Sequence, residues 1–207
     1  MPFKKIIQWF KNIFSSKKTV SLGLYGNVNT GKSTLANRIS KDWTGEEMSE
    51  VSEIPHETRS IISKEQIVIQ AEGKKITMNL LDMPGIATKV DYREFVEKGL
   101  SVKKAQKRAK EATRGVVEAI KWLEKVDVAL VVMDSTEDPF TQVNLTILGN
   151  LEARGIPVVI IANKIDLKKA KPERIKEAFP QHKVVEISAL KGKNIGELYK
   201  AISELNL

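Results

Sequence analysis

The fold is decided by a stretch near the N-terminus, residues 20–33, which reads VSLGLYGNVNTGKS. Its first six residues are mostly apolar, as is typical of a buried strand. Residues 26–33 match the pattern GxxxxGKS, and residues 34–40 have helical periodicity. The stretch therefore predicts a strand, a glycine-rich loop and a helix in direct succession.

Such a unit suits a nucleotide phosphate, because glycines let backbone amides close around phosphate oxygens and the helix N-terminus adds a positive dipole. Lys32 is expected to reach the β and γ phosphates, and the Ser33 hydroxyl to ligate Mg²⁺. An ordinary glycine turn is the alternative, but it gives Lys32 and Ser33 no role. The predicted nucleotide-binding residues here are Gly26, Asn27, Val28, Asn29, Thr30, Gly31, Lys32, Ser33 and Thr34.

The rest of the chain alternates strands and helices as βαβ units do. Segments 66–71 and 75–81 flank a tight turn and predict an antiparallel hairpin. Further strands are predicted at 128–133, 158–162 and 184–187, and helices at about 139–153, 172–178 and 194–205. We predict an α/β fold with a mostly parallel central sheet and one antiparallel edge strand, flanked by helices.

Length and composition fit one globular domain, since the chain has 207 residues, of which 42% are hydrophobic and 29% charged. The absence of cysteine excludes a disulfide framework, a thiol nucleophile and a thiolate zinc site. No apolar run reaches the roughly 18 residues of a membrane span, and the N-terminus lacks a signal-peptide core. We expect a cytoplasmic protein, either soluble or peripheral at the inner face of the membrane.

A carboxylate follows the second strand of the hairpin, in the sequence Leu80-Leu81-Asp82-Met83-Pro84-Gly85. Asp82 suits the outer coordination sphere of Mg²⁺, and the Gly85 amide suits the γ-phosphate. Alone, an acid and a turn after a strand indicate a solvated loop. The glycine-rich loop upstream favours the functional interpretation.

The segment Asn163-Lys164-Ile165-Asp166 follows another strand and indicates which base is bound. A carboxylate at Asp166 accepts from both N1–H and the exocyclic amine of guanine, whereas adenine presents an acceptor at N1. Asn163 is expected to contribute to guanine selection, and Lys164 to pack along the nucleotide. Capping of a helix by Asn and Asp is the alternative. A weaker signal, Ser188-Ala189-Leu190, would bring backbone amides to the base oxygen.

These four segments, in this order and spacing, resemble the first, third, fourth and fifth motifs of small GTPases of the translation-factor class, in the Era-like (TrmE-Era-EngA-like) branch. The resemblance covers roughly residues 19–207 and implies a P-loop G domain that binds GTP or GDP with Mg²⁺ and hydrolyses GTP. It implies Thr58 as a second Mg²⁺ ligand, in a Thr-Arg context 25 positions after Ser33, with Thr44 as a competing hydroxyl. Relatives serving ribosome assembly often carry an appended RNA-binding domain, and we expect none here because the chain ends 13 residues after Asn194.

One departure from the family concerns catalysis. Ile86 follows Gly85, where Ras-like enzymes have the glutamine that orients water, so slow intrinsic hydrolysis is expected. The resemblance implies K⁺ held by Asn29, with dimerisation in the GTP state, as a substitute; a loop-stabilising hydrogen bond is the alternative role of Asn29. Lys32, Thr58, Gly85 and Asn29 are the expected catalytic residues.

Two segments carry the net charge of +8. Residues 89–125 contain 11 bases and 6 acids and lie in an enlarged, helical switch II region of about 86–125. One or two amphipathic helices are predicted from about 92 to 125, with Val102 among the apolar positions of one face and an outward face of Lys103, Lys104, Lys107, Arg108 and Lys110. A solvated face, an anionic partner and dimerisation all fit this pattern.

The other basic segment is residues 1–18, with five lysines and no acid. Its apolar residues fall on one helical face: Phe3, Ile6, Ile7, Phe10, Ile13 and Phe14. This pattern predicts an amphipathic helix that lies on an anionic membrane through residues 3–14. Packing on the G domain and binding to a protein or ribosomal partner are alternatives. We therefore expect a molecular switch at a membrane surface or, alternatively, an RNA- or ribosome-associated GTPase using its basic helices.

Overall fold

The computed structural model describes residues 19–45, 62–71, 74–82 and 123–205, together with residues 96, 99, 101–104, 106 and 107. The strands are β1 (Thr19–Tyr25), β2 (Ile62–Ala71), β3 (Lys74–Asp82), β4 (Val128–Asp134), β5 (Val158–Asn163) and β6 (Lys183–Glu186). The helices are α1 (Lys32–Thr44), α2 (Gln142–Ala153), α3 (Pro172–Ala178) and α4 (Ile195–Ser203), and Leu123–Lys125 forms a 3₁₀ turn. The predicted N-terminal helix, Thr58, Gly85 and most of 86–125 lie outside the described residues.

The six strands form one sheet in the order β2-β3-β1-β4-β5-β6. The adjacent strands β3, β1, β4, β5 and β6 all run parallel. Strand β2 runs antiparallel to β3 at the edge. Strand β1 lies between β3 and β4, so β3 and β2 lie on one side of it and β4, β5 and β6 on the other. The strand order therefore reverses at β1. In open α/β sheets, ligands bind beyond the carboxyl ends of the strands at such a reversal. The loop after β1 lies there, and the predicted α/β class is confirmed.

Both faces of the sheet are covered, because side chains alternate along the strands. In β4, Val128, Leu130 and Val132 pack towards α1 and α4, whereas Ala129 and Val131 pack towards α2 and α3. All five are fully buried. This two-sided burial explains why β4 and β5 are continuous apolar runs rather than alternating sequences.

Element boundaries shift by a few residues from those predicted. The helix predicted from about 139 begins at Gln142, because Thr141 is extended and its hydroxyl accepts from the Asn144 N–H at 3.2 Å. Helix α1 extends to Thr44 and ends at Gly45, whose left-handed backbone places its N–H 2.9 Å from the Lys41 carbonyl.

Part of the segment predicted to form an enlarged switch II region is described. Val96 is helical, the Gly99 N–H donates to the Val96 carbonyl in a turn with φ +89°, and helix resumes at Val102. Lys103, Lys104 and Lys107 are exposed, as the basic outward face requires, but Val102 is also 53% exposed. Within the described part of the chain, no helix is long and apolar enough to cross a membrane.

Candidate nucleotide-binding site

The glycine-rich loop turns back on itself between β1 and α1. Gly26 has φ +146°, and a Cβ there would overlap the Val132 carbonyl, so only glycine fits. Around the turn, the Asn27 carbonyl accepts from Thr30 Oγ1 at 3.1 Å and from Lys32 Nζ at 2.6 Å. The Lys32 ammonium is thereby held across the loop, and the residue is only 6% exposed.

Helix α1 begins at this loop with Gly31 as its N-cap, at φ +93°, and without a side-chain cap. No acidic residue lies in its first turn, so no side chain of the turn itself offsets the positive end of the helix dipole. Ser33 and Thr34 lie in the same turn and are partly exposed. The turn thus combines a partial positive charge with hydroxyl groups, as an anion with an associated hard cation requires.

Asn29 is the most exposed residue of the loop and has a left-handed backbone, with φ +57°. Among the described residues it has no hydrogen-bond partner. The alternative role considered above, a loop-stabilising hydrogen bond, is therefore not made within the described part of the chain.

The side chain of Asn163, at the end of β5, connects two loops. Its Nδ2 donates to the Thr30 carbonyl at 2.8 Å, and its Oδ1 accepts from the Ala189 N–H at 2.9 Å. The residue is only 3% exposed. A Cβ on Gly31 would overlap its Nδ2. Asn163 therefore fixes the phosphate loop relative to the loop after β6, while its contribution to guanine selection stays a prediction.

Lys164 forms an ion pair that the sequence did not reveal, with Asp134 at the end of β4. The Lys164 Nζ lies 2.6 Å from Asp134 Oδ2, and Asp134 Oδ1 accepts from both the N–H and the hydroxyl of Thr136 at 2.8 Å. Burial alone would raise the pKa of the Asp134 carboxyl, but these hydrogen bonds and the Lys164 charge lower it. The pKa of nearby Glu137 is raised by burial and by the Asp134 charge. The Asp134 carboxylate, which stays ionised, thus holds the Lys164 side chain where β4 and β5 end.

Asp166 lies on an exposed turn immediately after Lys164. The Ile165 N–H donates to the Ile187 carbonyl at 3.2 Å, and the Leu167 N–H to the Lys164 carbonyl at 3.0 Å. These bonds fix the backbone on both sides of the Asp166 carboxylate, which is presented to solvent next to the loop after β6.

That loop, residues 188–193, is closed by two backbone bonds between Ser188 and Lys193, at 3.1 and 3.2 Å. Ser188 and Ala189 are buried, but Leu190 is 67% exposed. Because Asn163 connects Ala189 to Thr30, the structure brings the predicted phosphate-binding and base-binding segments together.

The Mg²⁺ residues are described only in part. Asp82 is the last residue of β3 and is registered against Leu24 of β1, so its backbone lies at the same edge of the sheet as the glycine-rich loop. Thr58 and Gly85 fall outside the described residues. In the described ranges, no group of three or more His, Cys, Asp or Glu could hold a metal ion. Within these ranges, the oxygen ligand assigned to Mg²⁺ is the Ser33 hydroxyl, to which a bound nucleotide would add phosphate oxygens.

Asp134 was missed from the sequence although its signal is the same as that of Asp82: an acidic residue directly after a buried apolar strand, here followed by Ser135-Thr136. Arg38 was also missed. It lies in the middle of α1 and contacts the loop after β6.

Known proteins resemble the chain in both sequence and fold. Residues 21–164 match the family of 50S ribosome-binding GTPases. The chain is 32% identical to GTPase Der of Marinomonas sp., covering 98% of this chain and 42% of Der. It is 34% identical to GTPase Era of Rickettsia conorii, covering 91% of this chain and 49% of Era.

Two solved structures of Era share the fold. One is an Era variant from Aquifex aeolicus bound to GDP and AlF4⁻, with a TM-score of 0.67 and 27% identity. The other is Era in complex with MgGDPNP and a segment of 16S ribosomal RNA, with a TM-score of 0.65 and 27% identity. Each comparison covers 90% of this chain and 56% of the other.

The fold and the site define a P-loop GTPase G domain. The chain belongs to the family of 50S ribosome-binding GTPases, and its relatives place it with the Era-like GTPases, which confirms the resemblance found in its motifs. The chain spans about half the length of the curated relatives it matches.

Proposed function

We propose that this protein binds GTP and GDP, hydrolyses GTP slowly, and acts as a molecular switch. The observation that carries the proposal is the Asn163 side chain, which connects the glycine-rich loop to the loop after β6 through two buried hydrogen bonds. A site for phosphate and a site for a base are thereby fixed relative to each other. A ligand that spans both sites, as a nucleotide does, would depend on this connection.

The phosphate end uses the Lys32 ammonium and the amides at the start of α1. Mg²⁺ would be held by Ser33 and Thr58, with Asp82 in its outer sphere, and it would neutralise charge on the β and γ phosphates. The exposure of Ser33 in the first turn of α1 supports this assignment.

At the base end, Asp166 is proposed to select guanine through N1–H and the exocyclic amine. Asp166→Asn tests this, because an amide pairs with xanthine better than with guanine. We expect weaker GTP binding and gained xanthosine triphosphate binding in a fluorescent-nucleotide titration. Asp138→Asn, on an exposed carboxylate of a different loop, is the matched control. Unchanged GTP affinity in Asp166→Asn would contradict the proposal.

Slow hydrolysis is expected from Ile86. The exposed Asn29, which has no hydrogen-bond partner among the described residues, supports a K⁺ site beside the phosphates. We expect a higher kcat in KCl than in NaCl, and more dimer with a non-hydrolysable GTP analogue. Asn29→Gly keeps the left-handed backbone and removes the side-chain oxygen, so it should abolish the salt difference. Equal kcat values in both salts for the natural protein would refute the K⁺ proposal.

We further propose that the protein sits in the cytoplasm at the inner face of the membrane, through residues 3–14. Co-sedimentation with anionic liposomes tests this on the full chain. Phe10→Ser with Phe14→Ser should abolish binding, since Phe side chains reach the acyl boundary. Phe140→Ser, at an aromatic residue that is 58% exposed on the G domain, is the control and should bind normally.

RNA binding is the second candidate, and it is favoured by the structural likeness to Era in complex with 16S ribosomal RNA. The exposed Lys103, Lys104 and Lys107 would then contact phosphates. The RNA function replaces the membrane function if the natural protein binds an RNA fragment but not liposomes. The Phe10, Phe14 double variant should then bind the RNA as the natural protein does.

A further inference from the structure

Arg38 connects the middle of α1 to the loop after β6. Its Nε lies 3.4 Å from the Ala189 carbonyl, and its Nη2 lies 3.2 Å from the Leu190 carbonyl. Nε and Nη2 are neighbouring donors on one edge of the planar guanidinium. One side chain therefore holds two consecutive carbonyls of a loop about 150 residues away in the sequence.

These two contacts orient the amides that follow. A trans peptide is planar, so its N–H points away from its C=O. Holding the Ala189 carbonyl turns the Leu190 N–H to the side opposite Arg38. Holding the Leu190 carbonyl does the same for the Lys191 N–H, which donates to Ser188 Oγ at 3.1 Å.

The other amides of the loop already have partners. The Ser188 N–H donates to the Lys193 carbonyl at 3.2 Å, and the Ala189 N–H to Asn163 Oδ1 at 2.9 Å. Of the three residues predicted to face the base oxygen, only Leu190 has an N–H without a partner in the described part of the chain. An exposed, oriented and unpaired donor suits an acceptor on a ligand.

Gly192, in the loop after β6, lies beside the Arg38 guanidinium. Gly192 has φ +70°, and a Cβ there would lie 3.5 Å from Arg38 Cζ, in ordinary van der Waals contact. The guanidinium thus lies against the loop on its Gly192 side while its edge holds the two carbonyls.

We propose that Arg38 is a positioning residue for base recognition: it orients the Leu190 N–H towards O6 of guanine. This inference rests on the proposed binding of guanine nucleotides. Because Arg38 belongs to α1, which is capped by Gly31 of the glycine-rich loop, it connects the phosphate end of the site to its base end.

The test compares three diphosphates, measured by competition against a fluorescent GDP. GDP carries the full guanine, 6-thio-GDP replaces O6 with a poor acceptor, and inosine diphosphate lacks only the exocyclic amine read by Asp166. The variants are Arg38→Gln, Arg38→Lys and, as matched control, Arg154→Gln, whose exposed side chain hydrogen-bonds to Asn150 alone among the described residues. Thermal unfolding of each variant checks that it is folded.

In Arg38→Gln, the preference for GDP over 6-thio-GDP should fall by up to about tenfold, the worth of one hydrogen bond between a backbone amide and a carbonyl oxygen. The preference for GDP over inosine diphosphate should stay as in the natural protein. Arg38→Lys should lose most of the 6-thio-GDP discrimination too, because an ammonium does not match two carbonyls as a fork does. Arg154→Gln should behave as the natural protein.

An equal loss of affinity for all three nucleotides would overturn the inference, since a merely structural role predicts that result. Full discrimination in Arg38→Lys would also overturn it. Failure of the natural protein to bind GDP would instead refute the proposed function itself, and this is seen before any variant is compared.

Discussion

Replacing Asn163 with alanine should lower the free energy of unfolding by about 2–4 kcal/mol, even without nucleotide. The side chain is 3% exposed and satisfies two backbone groups, the Thr30 carbonyl and the Ala189 N–H. Alanine removes both contacts and brings no polar atom to replace them. Each buried group left without a partner costs about 1–3 kcal/mol, and partial entry of water offsets some of the sum. The loss is a large fraction of the roughly 5–15 kcal/mol that stabilises a domain.

The assay is urea denaturation of nucleotide-free protein, because a ligand that binds only the folded state would add its own stabilisation. Asn150→Ala is the matched control. Its Nδ2 donates to the Thr146 carbonyl at 2.8 Å within α2, but the residue is partly exposed, so water replaces the lost bond. We expect a change within about 0.5 kcal/mol for this control.

The reasoning is refuted if Asn163→Ala unfolds within about 0.5 kcal/mol of the natural protein, like the control. That result would mean that the two loops do not depend on the side chain for their hydrogen bonds. The proposed function would then lose the observation that carries it.

Three further predictions concern neighbouring residues. Gly31→Ala should lose stability and nucleotide affinity together, by calorimetry and titration, because φ is +93° and the new Cβ would overlap Asn163 Nδ2; normal affinity would contradict this. Tyr25→Phe should raise the melting temperature slightly, since the buried hydroxyl has no partner in the described residues and burial raises the pKa of Tyr25; a lowered temperature would reveal a hidden partner. Asp134→Asn should lower stability at pH 7 and flatten its decline in acid. The pKa of Asp134 is depressed below its ordinary value of 3.8, so its contribution is present above that value and is lost as pH falls through the depressed pKa. A parallel acid decline in both proteins, measured by urea titration at several pH values, would exclude this role.

The elements of the fold could be read from local sequence. The helix predicted at 172–178 has the same bounds in the structure, and β1, β4 and β5 differ from prediction by one residue at one end. Their apolar runs and glycine-rich loops carry the signal in a few adjacent residues. The left-handed positions Gly26 and Gly31 were predictable for the same reason, because glycine is the residue that adopts such a backbone without strain.

Asn29 has a left-handed backbone and Asp166 is exposed, while their assigned roles towards K⁺ and guanine stay predictions. Thr58 and Gly85, whose assignments come from the resemblance, lie outside the described residues and stay predictions. Val102 shows the limit of periodicity: it falls on the apolar face of a predicted amphipathic helix and yet is 53% exposed.

By itself, the sequence determined the α/β class, the phosphate loop and the family, because each depends on residues close together in the chain. Only the tertiary structure decided which distant groups complete the site. Asn163 bonds to Thr30 across 133 residues, Lys164 pairs with Asp134 from the neighbouring strand, and Arg38 reaches a loop 151 residues away. These partners meet because the strand order places β1, β4, β5 and β6 side by side, with the loops that follow their carboxyl ends at one edge. No local pattern contains that order, and a buried polar group takes whichever partner the packed sheet brings within hydrogen-bonding distance.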